Sequence, residues 1–98
     1  MVVAMLQVIV KLPEGIGSIK DKRRIVNSLK QRIRNKFYVS SAEVALNDSL
    51  GFAQIGAALV TNSRAHGERV LHKIILFLEN ETSVGLYEVE THLEEFGN

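Results

Sequence analysis

Val2-Val3-Ala4-Met5-Leu6-Gln7-Val8-Ile9-Val10-Lys11-Leu12, followed at once by Pro13-Glu14-Gly15-Ile16-Gly17-Ser18, is the stretch that decides the fold. Its even positions are all apolar, and Gln7 and Lys11 interrupt only the odd face, which still carries Val3, Met5 and Ile9. A run of this kind is a strand largely buried on both sides. The only proline of the chain and two glycines then end it. Ser18 opens a helix, and Asp21 three residues on makes a shortened capping box. At 100° per residue, Ile25, Val26, Leu29, Ile33 and Phe37 share one face, while Lys20, Arg23, Asn27, Lys30 and Arg34 share the opposite one. Lys22 projects on the apolar side, but in the first turn, where it is expected to reach solvent past the chain end.

Working outward, Tyr38 to Leu46 reads as a second strand with Ala42, Val44 and Leu46 facing inward, and Asn47-Asp48-Ser49 as a turn. Phe52 to Thr61 is a third strand. Asn62 or Ser63 caps a second helix through about Asn80, with Val70, Leu71, Ile74, Phe77 and Leu78 as its buried stripe. A last strand runs from Val84 to about Thr91 and precedes an acidic end. The order β-α-β-β-α-β, joined by right-handed crossovers, predicts an α+β, ferredoxin-like fold: a four-stranded antiparallel sheet with two helices on one face. Val3, Met5 and Ile9, with Phe52, Ala58 and Val60, make the other face apolar too. A covering partner is therefore expected, most simply a second copy forming a homodimer or higher oligomer through the open sheet face.

The 98 residues predict one domain, 1–98, with 46% hydrophobic and 23% charged residues as in ordinary globular proteins. There are no cysteines, which excludes a disulfide scaffold, a thiolate metal site and a cysteine nucleophile. No apolar run approaches the roughly 20 residues that span a bilayer. The start lacks the pattern of a signal peptide, so the expected location is cytoplasmic, without membrane contact.

Net charge is only +1, yet eight of the twelve Lys and Arg residues lie between Lys20 and Lys36, with Asp21 the single acid among them. From Glu79 onward the sign reverses: Glu79, Glu81, Glu88, Glu90, Glu94 and Glu95, with no Lys or Arg. The like-charged i,i+4 pairs Lys20/Arg24, Lys30/Arg34 and Arg32/Lys36 each cost roughly 0.2–0.5 kcal/mol. Cations at the helix start lose roughly 0.3–1 kcal/mol apiece against the macrodipole. Docking an anion would relieve both costs. The candidate nucleic-acid-binding residues are therefore Lys20, Lys22, Arg23, Arg24, Lys30 and Arg34, and Gly15, Gly17 and Ser18 form a candidate anion-binding loop.

Gly15-Ile16-Gly17 is followed by Lys20 where a dinucleotide fingerprint wants glycine, and no P-loop is present, so no nucleotide cofactor is expected. A polymer of phosphates fits better. Leu50-Gly51-Phe52-Ala53 faintly echoes an RNA-recognition signature on the third strand, but the later aromatic positions hold Gln54 and Ala57. Base stacking on the sheet is thus disfavoured, and phosphate- and shape-directed binding to structured RNA or the ribosome through the first helix is the expected mode. The alternative is a structural or protein-interaction oligomer in which the basic helix pairs with an acidic segment of another subunit or partner. His66, His72 and His92 lack metal-ligand spacing, and Glu88 and Glu90 share one strand face as solvated acids. No catalytic residue, metal or cofactor is expected, and no enzyme activity.

Ser18-Ile19-Lys20-Asp21-Lys22-Arg23-Arg24, with Val26, Ser28-Leu29, Arg32, Arg34-Asn35, Phe37, Ala42-Glu43-Val44, Ala53 to Asn62 and Glu68-Arg69-Val70-Leu71, resembles the YlxP family of small bacterial proteins. The likeness covers nearly the whole chain. It departs at Leu50-Gly51-Phe52, where the family tends to carry Trp-Gln-Arg. The resemblance implies a ferredoxin-like fold. Family members are often encoded beside transcription and translation factors, so it also implies a ribosome- or RNA-linked role.

Overall fold

In the structure, a computed structural model that describes residues 1–97, the elements are β1 (Val2–Lys11), α1 (Ile19–Phe37), β2 (Ser40–Ala45), β3 (Phe52–Thr61), α2 (Arg64–Glu79) and β4 (Gly85–Glu95). The strands form one antiparallel sheet in the order β2-β3-β1-β4. β1 and β3 are the inner strands, each ten residues long with apolar residues on both faces. The even residues of β1 from Ala4 to Val10 pack with Ala53, Ile55 and Ala57 of β3 under Val26, Leu29 and Ile33 of α1 and Val70, Leu71, Ile74 and Leu78 of α2. Burying each Val, Leu or Ile side chain among these stabilises the fold by roughly 1.5–3 kcal/mol. The arrangement is the ferredoxin-like one.

Both helices begin as their sequences dictate. The Ser18 hydroxyl accepts from the Asp21 amide at 3.1 Å, and the Ser63 hydroxyl accepts from the His66 amide at 3.2 Å. Gly67, in the first turn of α2, marks a close approach: a Cβ there would sit 3.0 Å from the Ala4 Cβ of β1. A residue with poor helix propensity is used where the backbone of α2 must lie almost on the sheet.

Two elements differ from the sequence reading. In β2 it is Ser41 and Glu43 that face the helices, while Ala42 and Val44 lie on the open face and Leu46 is exposed beyond the strand. The register fixes this, because Ala42 pairs with Gly56 and Ser41 with the buried Ala57. The inward polar groups are satisfied: the Ser41 hydroxyl donates to the Gly56 carbonyl at 3.0 Å, and Glu43 meets a lysine of α1. β4 continues four residues past Thr91, since Leu93 pairs with Ala4 and Glu95 with Val2. Mutual backbone bonds between Met1 and Phe96 close its end.

Candidate nucleic-acid interface

The 19 residues of α1 carry all eight clustered cations, and the structure divides them into two sets. Lys22 departs most from expectation. It is 1% exposed and does not reach solvent. Its Nζ lies 3.2 Å from Glu43 Oε2 and donates to the Leu46 carbonyl. Four buried residues of α1, Lys22, Val26, Leu29 and Ile33, form its inner stripe, so at 100° per residue Lys22 has no route outward. Lys22 is removed from the candidate interface. Glu43 Oε2 has no aligned hydrogen bond besides this ionic contact, so the lysine is what makes the inward carboxylate tolerable.

Three more cations are held by the fold. The Arg34 guanidinium donates to the Ser41 backbone carbonyl on β2, although much of the side chain stays exposed. Arg32 pairs with Glu81 at 2.5 Å and lies 5.7 Å from the centre of the Phe77 ring. Lys36 sits 5.2 Å from the same ring and 5.9 Å from Phe37, cation–π distances that place its charge over the aromatic pair. Burial works to raise the Glu81 pKa. The hydrogen bond and charge of Arg32, with bonds from the Ser83 amide and hydroxyl, outweigh it and hold the carboxyl below its ordinary value.

The second set is Lys20, Arg23, Arg24 and Lys30. Among the described residues none of them forms an ion pair. The first three are exposed and Lys30 is half-buried. Lys20 and Arg24 point directly away from the core, while Arg23 and Lys30 share the flank that continues into Arg34. Beside them lies the loop before α1. Gly15 has a φ of +86°, a conformation that favours glycine, and a Cβ at Gly15 or Gly17 would meet no atom within 4 Å. The loop is open to solvent, but the Ser18 hydroxyl oxygen already accepts the Asp21 amide and the Asp21 carboxylate is exposed beside it.

The open sheet face is the other surface of note. Val3 pairs with Val60 and Met5 with Ala58, as the alternation predicts. Between Met5, Ala42, Val44, Gly56 and Ala58 lies an open trough of about 460 Å³ with Glu90 and His92 on one bank. It exists because small residues meet there: Gly56 faces Val44, whose Cγ1 would lie 3.1 Å from a Cβ at that position. Glu88 and Glu90 pair with Ile9 and Gln7, and Glu94 with Val3, so the acids of β4 form a row along this face. The alternation in β1 and β3 disclosed the apolar character, but not the hollow, which depends on the β2 register. On α2, Glu68 pairs with Arg64 one turn before it, at 3.4 Å.

A ferredoxin-like sheet bearing an amphipathic, cation-faced first helix defines a class of small α+β proteins. Within that class, residues 3–91 match the model of the family described as "Protein of unknown function (DUF503)", and the chain belongs to that family. It is similar to the uncharacterized protein YlxP of Bacillus subtilis (strain 168), with 33% identity over 64 residues that cover 65% of this chain and 70% of that protein. The resemblance read from the Ser18–Arg24 motif is thereby established.

Proposed function

We propose that this protein is a non-catalytic module that binds structured RNA, free or in the ribosome, through the outer face of α1. The observation that carries this reading is the unmatched set Lys20, Arg23, Arg24 and Lys30, four cations on one helix with no acid partner among the described residues. From Lys20 to Lys30 they extend roughly 15 Å along the helix axis, long enough to follow several phosphates. Arg34 adds its aliphatic stem and the exposed part of its guanidinium to the end of the row. With about four phosphates contacted, log affinity falls with log salt at a slope of roughly −3 to −4.

The test is the double charge reversal Arg23→Glu with Lys30→Glu, read by fluorescence anisotropy on a fully paired RNA hairpin at several salt concentrations. Arg34 is left intact because it also holds Ser41. Affinity is expected to fall and the salt slope to shrink by about 2, with stability changed by no more than about 0.5 kcal/mol. Unchanged binding ends the proposal. One observation favours the second reading, a protein-interaction oligomer: Glu88, Glu90 and Glu94 are exposed along β4 and could receive the basic helix of another copy. High salt that separates an oligomer, in a protein without RNA affinity, would select that reading.

A further inference from the structure

Among the described residues, two that are not glycine have left-handed backbone, Leu46 (φ 61°) and Tyr38 (φ 55°). Such a conformation brings the Cβ of a side-chain-bearing residue too close to the following carbonyl, a strain that glycine escapes. Leu46 has a structural reason, because its carbonyl receives the buried Lys22 ammonium. At Tyr38 the backbone caps α1 by donating to the Arg34 carbonyl at 2.9 Å, a role glycine fills with less strain. The side chain explains nothing about the fold: Tyr38 is 90% exposed. The other aromatic residue at this end of the helix is used, with Phe37 edge-on to Phe77 at 5.7 Å. Tyr87 likewise packs against Phe52 at 5.3 Å. Among the described residues, Tyr38 makes no aromatic or hydrogen-bonded side-chain contact.

Its position is the second observation. Tyr38 follows Arg34 in the chain at the spacing of four that separates Lys30 from Arg34, directly after the last residue of α1, and its amide donates to the Arg34 backbone carbonyl. A strained, unpacked ring thus stands at the end of a line of cations. The cap accounts for the backbone conformation but not for an exposed tyrosine where glycine would be unstrained; such strain at an unpacked ring points to function, and an aromatic face beside phosphate-binding cations suits a nucleobase. Resting on the RNA-binding reading above, we infer that Tyr38 stacks on an unpaired base, so that the preferred ligand is an RNA helix interrupted by a bulged or looped-out nucleotide rather than an uninterrupted duplex.

The experiment compares two short RNA hairpins, identical except that one carries a single bulged adenosine. The wild-type protein is expected to bind the bulged hairpin roughly tenfold more tightly, in the lower part of the range for base–aromatic stacking. Tyr38→Gly should remove that preference while leaving affinity for the paired hairpin unchanged, and its Tm should rise by a few degrees as the strain is relieved. Tyr38→Phe should keep the preference, since the ring face is what stacks. In a Tyr87→Phe background Tyr38 is the only tyrosine, and its fluorescence should be quenched by the bulged hairpin alone. Equal binding of the two hairpins by the wild type, or a preference that survives Tyr38→Gly, overturns the inference. If the Arg23/Lys30 reversal weakens both hairpins while Tyr38→Gly changes neither, stacking fails and the RNA-binding reading stands. If the reversal changes neither, both fall together.

Discussion

The inner and outer sides of α1 are built from the same two residue types and use them for opposite ends. On the inner side and its flanks, Lys22, Arg32, Arg34 and Lys36 reach Glu43, Glu81, the Ser41 carbonyl and two phenylalanine rings. They tie the helix to β2 and α2. Lys20 and Arg24 on the outer side, and Arg23 and Lys30 on the flank shared with Arg34, form no ion pair among the described residues, and three of the four crowd the end of the helix where positive charge is least welcome. Counting basic residues along the sequence therefore overstates the surface available to a polyanion. It also hides the structural work done by the rest.

That contrast can be broken or sharpened by substitution. The largest effect is expected at Lys22→Ala, which strands the Glu43 carboxylate and releases the Leu46 carbonyl. Breaking such a buried pair costs about 3–5 kcal/mol, measurable as a lower midpoint in urea unfolding. Arg34→Ala should come next, at roughly 1.5–3 kcal/mol in the same measurement, the usual worth of a hydrogen bond from a charged donor. Lys20→Glu reverses the sign: it should raise stability by roughly 0.3–1 kcal/mol through the helix dipole while weakening RNA binding. A loss of stability there would break the division between the two sides.

The smallest effect belongs to Arg32–Glu81. Because the folded protein holds the Glu81 carboxyl below its ordinary value of 4.5, the pair stabilises above that pH, and the contribution is lost as pH falls through the lowered value. Wild type and Glu81→Gln should therefore differ in urea midpoint near neutrality, draw together as pH falls past 4.5, and converge once it is below the lowered value. A difference that persists there would mean that packing, not charge, is what Glu81 supplies.

The fold was legible where one periodicity dominates. β1 alternates across ten residues, α1 repeats at 3.6 residues, and Ser18 and Ser63 cap their helices at the expected places. It was not legible in β2, because the reading assumed that apolar residues face the helices. With an open face that is itself apolar, Ala42 and Val44 fit there equally well, and the deciding fact is the pairing with Gly56 and Ala57. Lys22 escaped for the same reason. Its inward partner Glu43 belongs to the strand whose faces were exchanged, so no buried carboxylate was foreseen to receive the ammonium. The end of β4 is hidden in the sequence because Glu94 and Glu95 look like a solvated tail, whereas an edge strand needs only one apolar side and Leu93 supplies it.

The Arg34 contact has a consequence for how the molecule behaves at high concentration. β2 is a border strand of six residues, the kind of margin onto which a neighbouring chain can zip and start a fibre. One of its main-chain acceptors is already taken by a side chain from the helix above, and a bulge between Glu43 and Ala45 bends the ribbon away from a straight template. At the opposite margin, the closely spaced carboxylates of β4 repel any identical strand laid alongside. Both rims of the sheet are thus guarded against runaway polymerisation, one by occupation and the other by electrostatic repulsion.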